Sequence, residues 1–166
     1  MGIAANRDRK QQYPLGVRIV SIEWCRTCFD QRLGRRRPTS DVDLAVAAAD
    51  FANADRLARS SKTGGLVIDL HRELRHLDTC SWQDLFANSH LVDLDGEQIR
   101  VLRPEDHLRV LAVHWLTDGG WFRDRLWDIY YAINNRPADF DWGRCLDSVS
   151  PIRRRWIICV IGLTHK

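Results

Sequence analysis

Two short runs of alternating apolar residues, both carrying acidic side chains, constrain the fold of this chain most strongly. Residues 40–46 read Ser-Asp-Val-Asp-Leu-Ala-Val, and residues 66–71 read Leu-Val-Ile-Asp-Leu-His. Alternation of this kind is typical of β-strands. Because side chains two positions apart on a strand project from the same face, Asp41 and Asp43 are predicted to point together. If the second strand pairs beside the first, Asp69 joins them.

Three carboxylates that converge on one open face repel each other unless a cation lies among them. Mg²⁺ takes such carboxylate oxygens together with phosphate oxygens as ligands. The pattern therefore predicts a Mg²⁺ (or Mn²⁺) site at Asp41, Asp43 and Asp69, and it indicates metal-assisted chemistry on a nucleotide. An unpaired charge would be costly to bury within the run around Asp69. Arg72 or Arg75 as an ordinary ion-pair partner is the alternative to a metal.

Composition limits the partners of the chain. Its 166 residues suffice for one core, or for a small domain with a helical appendage. The net charge of +3 gives little support to long nucleic acid as a partner, because its binding needs several phosphate contacts and usually a basic stripe. No apolar run approaches the ~20 residues of a membrane span. Five scattered cysteines and an N-terminus without a secretory signal favour reduced thiols in a cytoplasm.

Three segments follow one another along the chain. Residues 1–37 show no sustained periodicity, apart from some strand character in residues 17–24. Residues 38–102 are predicted to form a small α/β core, and residues 103–166 a helical C-terminal region. The chain ends soon after an apolar stretch without a clear capping element, which we expect of a truncated version of a longer protein.

The predicted core combines a strand–helix–strand unit with a hairpin. A strand over residues 42–46 leads into an Ala-rich helix over residues 47–58, and a second strand covers residues 66–70. Two alternating runs then flank Asp95-Gly96, and Asp-Gly in that position is among the strongest local signals for a hairpin. The hairpin is predicted to span residues 91–102.

The helical region is predicted to open at Pro104, because proline suits the first turn of a helix. Glu105 and Asp106 follow, and acidic side chains are favourable at the positive end of the helix dipole. Gly119-Gly120 is expected to end this helix. Most tryptophans are expected to be packing residues. Further helices are predicted over residues 122–133, from residue 141, and over residues 152–163.

An Asp-x-Asp pair is shared by several enzyme classes. Haloacid-dehalogenase-type phosphatases place it after an apolar strand, whereas here the apolar residues follow Asp41, which argues against that class. Glycosyltransferases use the pair to hold a metal on a nucleotide sugar, so a fragment of such an enzyme is an alternative. The polymerase-β-like nucleotidyltransferase superfamily has two acids at the start of one strand and a third on a neighbouring strand. Residues 41–44 followed by residues 68–70 resemble that arrangement.

The succession of motifs in the C-terminal half extends the resemblance. Over about residues 34–163 the chain resembles the uncharacterised bacterial nucleotidyltransferase family of that superfamily. The resemblance implies an α+β fold, in which a small mixed β-sheet flanked by helices precedes a helical C-terminal region. The motifs, in order, are residues 68–71, residues 101–106, the helix bearing His114, residues 126–129 and residues 140–142.

The resemblance also implies roles for individual residues. Asp41 and Asp43 would bind one or two divalent ions carrying the phosphates of an NTP. Asp69 would complete the second metal site and help activate the attacking hydroxyl. Two metals would stabilise both the attacking and the leaving oxygen. The products would be pyrophosphate and a nucleotidylated acceptor, with a small molecule, a sugar, a protein hydroxyl and an RNA end all compatible as acceptor.

One motif of the superfamily is missing. A Gly-Ser pair normally lies at a helix start shortly before the first Asp, where it holds the triphosphate, but no Gly-Ser occurs in residues 1–40. Either the chain begins abnormally, or the phosphate-binding motif is lost, or Arg35, Arg36 and Arg37 together with Ser40 replace it. His71, which shares a strand face with Asp69, is a further candidate for substrate contact. A catalytically impaired remnant that binds a nucleotide or a partner is therefore the main alternative to an active enzyme.

Overall fold

The computed structural model describes most of the chain from Asp41 onward and one short strand before it. The predicted phosphate-binding residues Arg36, Arg37 and Ser40 and the turn at residues 95–96 lie outside the described residues. Those described are residues 19–21, 41–60, 67–74, 80–94, 97–121, 123–147 and 149–164.

The described strands form one mixed five-stranded sheet with the order β3-β2-β1-β5-β4. The central pair β1 and β5 is parallel, as is the pair β2 and β3, whereas β1–β2 and β4–β5 are antiparallel. The antiparallel β4–β5 pair confirms the predicted hairpin. The strands are β1 (Ile19–Ser21), β2 (Asp41–Val46), β3 (Val67–Arg72), β4 (His90–Leu94) and β5 (Glu97–Val101).

Helix α1 (Phe51–Ser60) connects β2 to β3, and a crossover of this kind is what two parallel neighbouring strands require. The helix begins later than predicted, because residues 48–50 form a turn. The Ala54 amide donates to the Asp50 carbonyl at 3.0 Å, which places Asp50 at the N-cap position. Aspartate is a preferred N-cap residue, and that local signal outweighs the helix propensity of the preceding alanines.

Five more helices follow among the described residues. Ser81 and Ser150 cap α2 and α6, since their hydroxyls accept hydrogen bonds from the backbone amides of Asp84 and Arg153. Every helix in the described part of the chain is too short or too polar to cross a membrane. The helices are α2 (Trp82–Asn88), α3 (Pro104–Thr117), α4 (Arg123–Asn134), α5 (Trp142–Asp147) and α6 (Pro151–Leu163). Together with the mixed sheet they confirm the predicted α+β fold.

Two hydrophobic cores share helix α3. Val110 of α3 packs in the core beneath the sheet, and Leu108, Ala112 and Trp115 of the same helix pack in a second core among the C-terminal helices. The first core comprises Ala45, Ala47, Leu74, Trp82, Leu85, Leu102 and Val110. The second comprises Leu108, Ala112, Val113, Trp115, Ile129, Ile133, Cys145, Ile157 and Val160.

Charged side chains in the first turns of α3 are buried between helices. The interaction with the helix dipole that was expected of Glu105 and Asp106 does not explain this burial. Asp106 and Arg109 are both 0 % exposed and form an ion pair. Asp106 also accepts a hydrogen bond from Arg144 of α5 at 3.0 Å, and Arg144 reaches Asp84 of α2 at 3.2 Å. Glu105 accepts a hydrogen bond from the backbone amide of residue 141 at 2.9 Å. The network therefore joins three helices.

The expectation that most tryptophans are packing residues is wrong for the described tryptophans that follow Trp115 in the chain. Trp82 and Trp115 are buried, but Trp121 is 85 % exposed and Trp127 is 53 % exposed. Trp127 packs instead on the surface against Tyr131, with ring centroids 6.1 Å apart. Hydrophobicity alone does not place a residue inside, because a folded surface is itself largely apolar.

We predict that Asp106→Ala lowers the free energy of unfolding by about 3–5 kcal/mol, because it leaves the charge of Arg109 buried without its partner. Urea denaturation followed by circular dichroism measures the effect. Asp147→Ala is the matched control, since the Asp147–Arg154 pair is exposed (62 % and 52 %) and should change stability by less than about 1 kcal/mol. Equal losses in the two variants would contradict a structural role for the buried network.

Candidate metal and nucleotide site

Strands β2 and β3 place two of the predicted carboxylates side by side. Their parallel register sets Asp43 opposite Asp69 and Ala45 opposite His71. The register follows from the apolar pattern, because a slip of one residue would turn every side chain of a strand to the other face of the sheet. Asp69 and His71, two positions apart, share one face of β3.

His71 lies between the two carboxylates. Its Nε2 atom lies 3.0 Å from Oδ1 of Asp43 and 3.6 Å from Oδ2 of Asp69. Asp43, Asp69 and His71 each offer one ligand atom, and these atoms all lie within 4.8 Å of one another. The three side chains are 24 %, 61 % and 38 % exposed, respectively, so a dissolved ligand can reach them.

The surroundings of Asp43 favour its ionised form. The hydrogen bond with His71 lowers the pKa of Asp43 below its ordinary value, and this effect outweighs burial, which acts in the opposite direction. The charges of His71, His114 and Arg125 lower the same pKa further. An ionised carboxylate is the form that binds a metal ion.

The structure corrects the argument from burial at Asp69. Although its neighbours in sequence are apolar, Asp69 is 61 % exposed, so its charge carries little desolvation cost. The alternative partner Arg72 stacks instead over the ring of Phe51, 5.5 Å from the ring centroid. Arg75 lies outside the described residues. The case for a metal at Asp69 therefore depends on its proximity to Asp43 and His71, and not on a buried charge.

A second polar cluster comes from the C-terminal helices. Arg125 of α4 contacts Asp118, the C-cap residue of α3, and its Nη1 atom lies 3.3 Å from Nε2 of His114. His114 Nε2 in turn lies 3.5 Å from Oδ2 of Asp118. Side chains four residues apart on a helix are neighbours, which brings His114 next to the C-cap. Arg125 joins them only because α4 packs against α3.

The two clusters act on each other electrostatically. Burial and the charge of Arg125 lower the pKa of His114, while the charges of Asp43 and Asp69 raise it. The balance is a pKa below the ordinary value of 6.5, so His114 is mainly neutral near pH 7. A neutral imidazole nitrogen can accept a hydrogen bond from Arg125.

The predicted site residues thus divide into those whose side chains the structure describes and those whose side chains it does not describe. Asp43, Asp69 and His71 meet on the sheet. Asp41 begins β2 opposite Val67, but its side chain is outside the description, as are Arg36, Arg37 and Ser40. The roles proposed for all of these residues stay predictions.

Arg125 and Asp118 were not identified from the sequence. Asp118 directly precedes Gly119-Gly120 at the end of the helix. A single acidic residue at that place does not by itself predict a metal or phosphate site. Arg125 is one of several arginines in the helical region. Only the packing of α4 against α3 distinguishes it from the others.

Comparison with known proteins gives a family assignment. A family model described as an uncharacterised nucleotidyltransferase matches residues 34–164, which is most of the chain. Comparisons with curated proteins and with solved structures find no match.

We predict that lowering the pH from about 7.5 to about 5.5 destabilises the wild-type protein more than a His114→Asn variant. With its pKa below 6.5 in the folded state, His114 binds a proton more readily when unfolded, so its contribution to stability falls as the pH drops below 6.5. Urea unfolding at a series of pH values measures this. His90→Asn, at an exposed position, should follow the wild type, and an identical pH dependence in all three proteins would refute the prediction.

Proposed function

Because the chain belongs to the family of uncharacterised nucleotidyltransferases, we propose that it transfers a nucleoside monophosphate from an NTP to a hydroxyl group. The observation that carries this proposal is the meeting of Asp43 and Asp69 on neighbouring parallel strands, with His71 between them. The family match also favours an NTP over a nucleotide sugar as the donor, which argues against the glycosyltransferase alternative.

The donor set suits a small divalent ion. Two carboxylates with a phosphate chain match the ligands of Mg²⁺, which usually binds one or two carboxylates together with substrate phosphates. Mn²⁺ accepts the same oxygens, and an imidazole such as that of His71 is better suited to a transition metal than to Mg²⁺. We therefore assign Asp43 and Asp69 as ligands of Mg²⁺ (or Mn²⁺). Asp41, at the start of the same strand as Asp43, is proposed as a further ligand.

In the proposed reaction, an acceptor oxygen bonds to the α-phosphorus while the bond from that phosphorus to the bridging oxygen breaks. Pyrophosphate leaves with the electron pair, and the acceptor proton passes to Asp69, whose exposure leaves it accessible to an incoming hydroxyl. His71 holds the Asp43 carboxylate in place through its hydrogen bond. A bound divalent ion would neutralise phosphate charge and stabilise the attacking and leaving oxygens.

The acceptor is proposed to be a hydroxyl on a small molecule or a protein. The net charge of +3 gives little support to a long nucleic acid. The lack of Gly-Ser in residues 1–40 favours a second candidate, in which the fold binds a nucleotide or a partner without turnover.

We predict that an NTP with Mg²⁺ raises the melting temperature of the wild-type protein. A ligand at about 100 times its Kd adds roughly 2.7 kcal/mol, which corresponds to a shift of a few degrees for a domain of this size. Asp43→Asn and Asp69→Asn should each lose most of the shift, because each removes an anionic ligand. Thermal unfolding with each of the four NTPs, with and without Mg²⁺, measures it.

Asp139→Asn is the matched control, since it removes an exposed carboxylate in the segment between α4 and α5 and should leave the shift unchanged. A cooperative unfolding transition that no NTP shifts would refute the proposed function. A shift without pyrophosphate release, over a panel of hydroxyl acceptors, would support the binding module instead of the enzyme.

A further inference from the structure

Strand β3 carries Asp69 along the outer edge of the described sheet. In the strand order β3-β2-β1-β5-β4, β2 is the one strand that pairs with β3 among the residues that the structure describes. The outer side of an edge strand presents backbone N–H and C=O groups on which a further strand can form. Ile68 and Leu70 are only partly buried, and Asp69 is 61 % exposed. In the described part of the chain, the edge beside Asp69 is therefore accessible to a ligand that pairs with a strand.

A cavity of about 550 Å³ lies along the same strand, beside helix α1. Its volume is within the range of small-ligand sites, roughly 300–1,000 Å³. Because side chains alternate along a strand, Ile68 and Leu70 project to one face of β3 and Asp69 projects to the other. Leu70 packs on the α1 side, against the cluster that contains Ala54. The cavity is lined by Phe51, Ala58 and Arg59 of α1 and by Ile68, Asp69 and Leu70 of β3.

Asp69 belongs to both the cavity and the carboxylate cluster. It lines the cavity, and its Oδ2 atom lies 3.6 Å from Nε2 of His71, which is within 3.0 Å of the Asp43 carboxylate. In the proposed reaction, Asp69 takes the proton of the acceptor hydroxyl. A molecule bound along this edge of the sheet therefore lies next to the carboxylate that would deprotonate it.

The geometry of a paired strand meets the requirements of both faces. A residue directly opposite Asp69 on an added strand would project to the same face of the sheet, with the two Cβ atoms about 4.5–5.5 Å apart. The residues before and after it would project to the opposite face, where Ile68, Leu70 and Ala58 line the cavity. An extended peptide would thus present a hydroxyl to the carboxylates and two apolar side chains to the cavity.

The charges beside the cavity favour acidic residues farther along such a segment. Arg59 is 79 % exposed, and its Nε atom donates to both carboxylate oxygens of Asp55, at 3.0 and 2.9 Å. Arg72 lies over the ring of Phe51, which lines the cavity. Asp55 balances one of these two guanidinium charges, which leaves the charge of Arg72 to attract a carboxylate of the ligand.

We propose that the acceptor is the hydroxyl of a Ser or Thr residue in an extended protein segment, which adds to the outer edge of β3 as a further strand. The inference rests on the proposed function of the carboxylate site and names its substrate class. In this mode of recognition, main-chain hydrogen bonds supply affinity and pockets for alternate side chains supply specificity. The hydroxyl oxygen bonds to the α-phosphorus of the NTP, pyrophosphate leaves with the electron pair of the broken P–O bond, and the hydroxyl proton passes to Asp69.

The docking is tested by titrating the full chain into a fluorescent peptide, Glu-Gln-Val-Ser-Val-Gln-Glu, and following its anisotropy. This sequence reads the same in both directions, so it suits parallel and antiparallel pairing. Successive N–H groups of a strand point to opposite edges, so N-methylation of the two Val amides and N-methylation of the Ser and Gln amides block opposite edges. One methylated peptide should bind about 10-fold more weakly than the parent peptide, and the other within about 2-fold of it. Equal effects of the two methylations, or a parent peptide that does not bind, would overturn the inference.

Two variants of helix α1 test the part played by the cavity. Ala58→Phe fills the cavity and should weaken binding of the parent peptide by about 10-fold, because the Val side chains lose their apolar contacts. Ala52→Phe is the matched control, since it makes the same change at an exposed position of the same helix that does not line the cavity. It should bind the peptide as the wild type does. Equal peptide affinities of the two variants, both folded by circular dichroism, would contradict docking at this cavity.

Transfer is measured separately, with Mg²⁺ and an NTP labelled in its α-phosphate. Wild-type protein should label the parent peptide but not the same peptide with Ala in place of Ser. Asp43→Asn should label neither peptide, yet bind the parent peptide within about 2-fold of the wild type, because Asp43 lies on β2 and not on the outer edge.

Failure of the underlying function gives a different result. An NTP-induced rise in melting temperature, with pyrophosphate released to a small hydroxyl compound and no label on the peptide, would overturn this inference alone. Wild-type protein whose melting temperature no NTP raises would overturn the proposed function and the inference with it.

Discussion

The buried ion pair between Asp106 and Arg109 is the centre of the network that joins helices α2, α3 and α5. Both side chains are fully excluded from solvent, so neither charge is tolerated without the other. Arg144 extends the pair to a second helix, and the whole network lies where α3 leaves the sheet. The far end of α3 carries His114 and Asp118, which lie roughly 12–18 Å along the helix from Asp106 at 1.5 Å per residue. An error in the placement of α3 at the network would therefore displace that end relative to the carboxylates on β2 and β3.

The register between strands β2 and β3 is sufficient to bring the carboxylates of the candidate site together. Parallel pairing sets Asp43 against Asp69, and a slip of one residue would send Asp69 and His71 to the opposite face. His71 then lies within 3.6 Å of both carboxylates. The carboxylate cluster therefore needs no loop to assemble it, and rigid elements hold functional groups more accurately than loops do.

The C-terminal helices are more than an appendage to the sheet. Helix α3 packs in both hydrophobic cores, so the two parts of the chain share structural support. The charges of His114 and Arg125 help to lower the pKa of Asp43. Through these charges the helical region affects the ionisation of a carboxylate in the candidate site.

Local signals were sufficient to predict the strands of Asp41 and Asp69, the β4–β5 hairpin and the helix opening at Pro104, whereas the α+β class followed from the family resemblance. Each of these depends on periodicity, caps or turn residues within a few positions of one another. Other features depend on residues far apart in sequence, and no local pattern encodes them. The exposure of Asp69, the position of His71 between two acids, the buried charge of Asp106 and the contact of Arg125 with Asp118 were all decided by tertiary packing, because desolvation and electrostatic contact depend on which elements become neighbours.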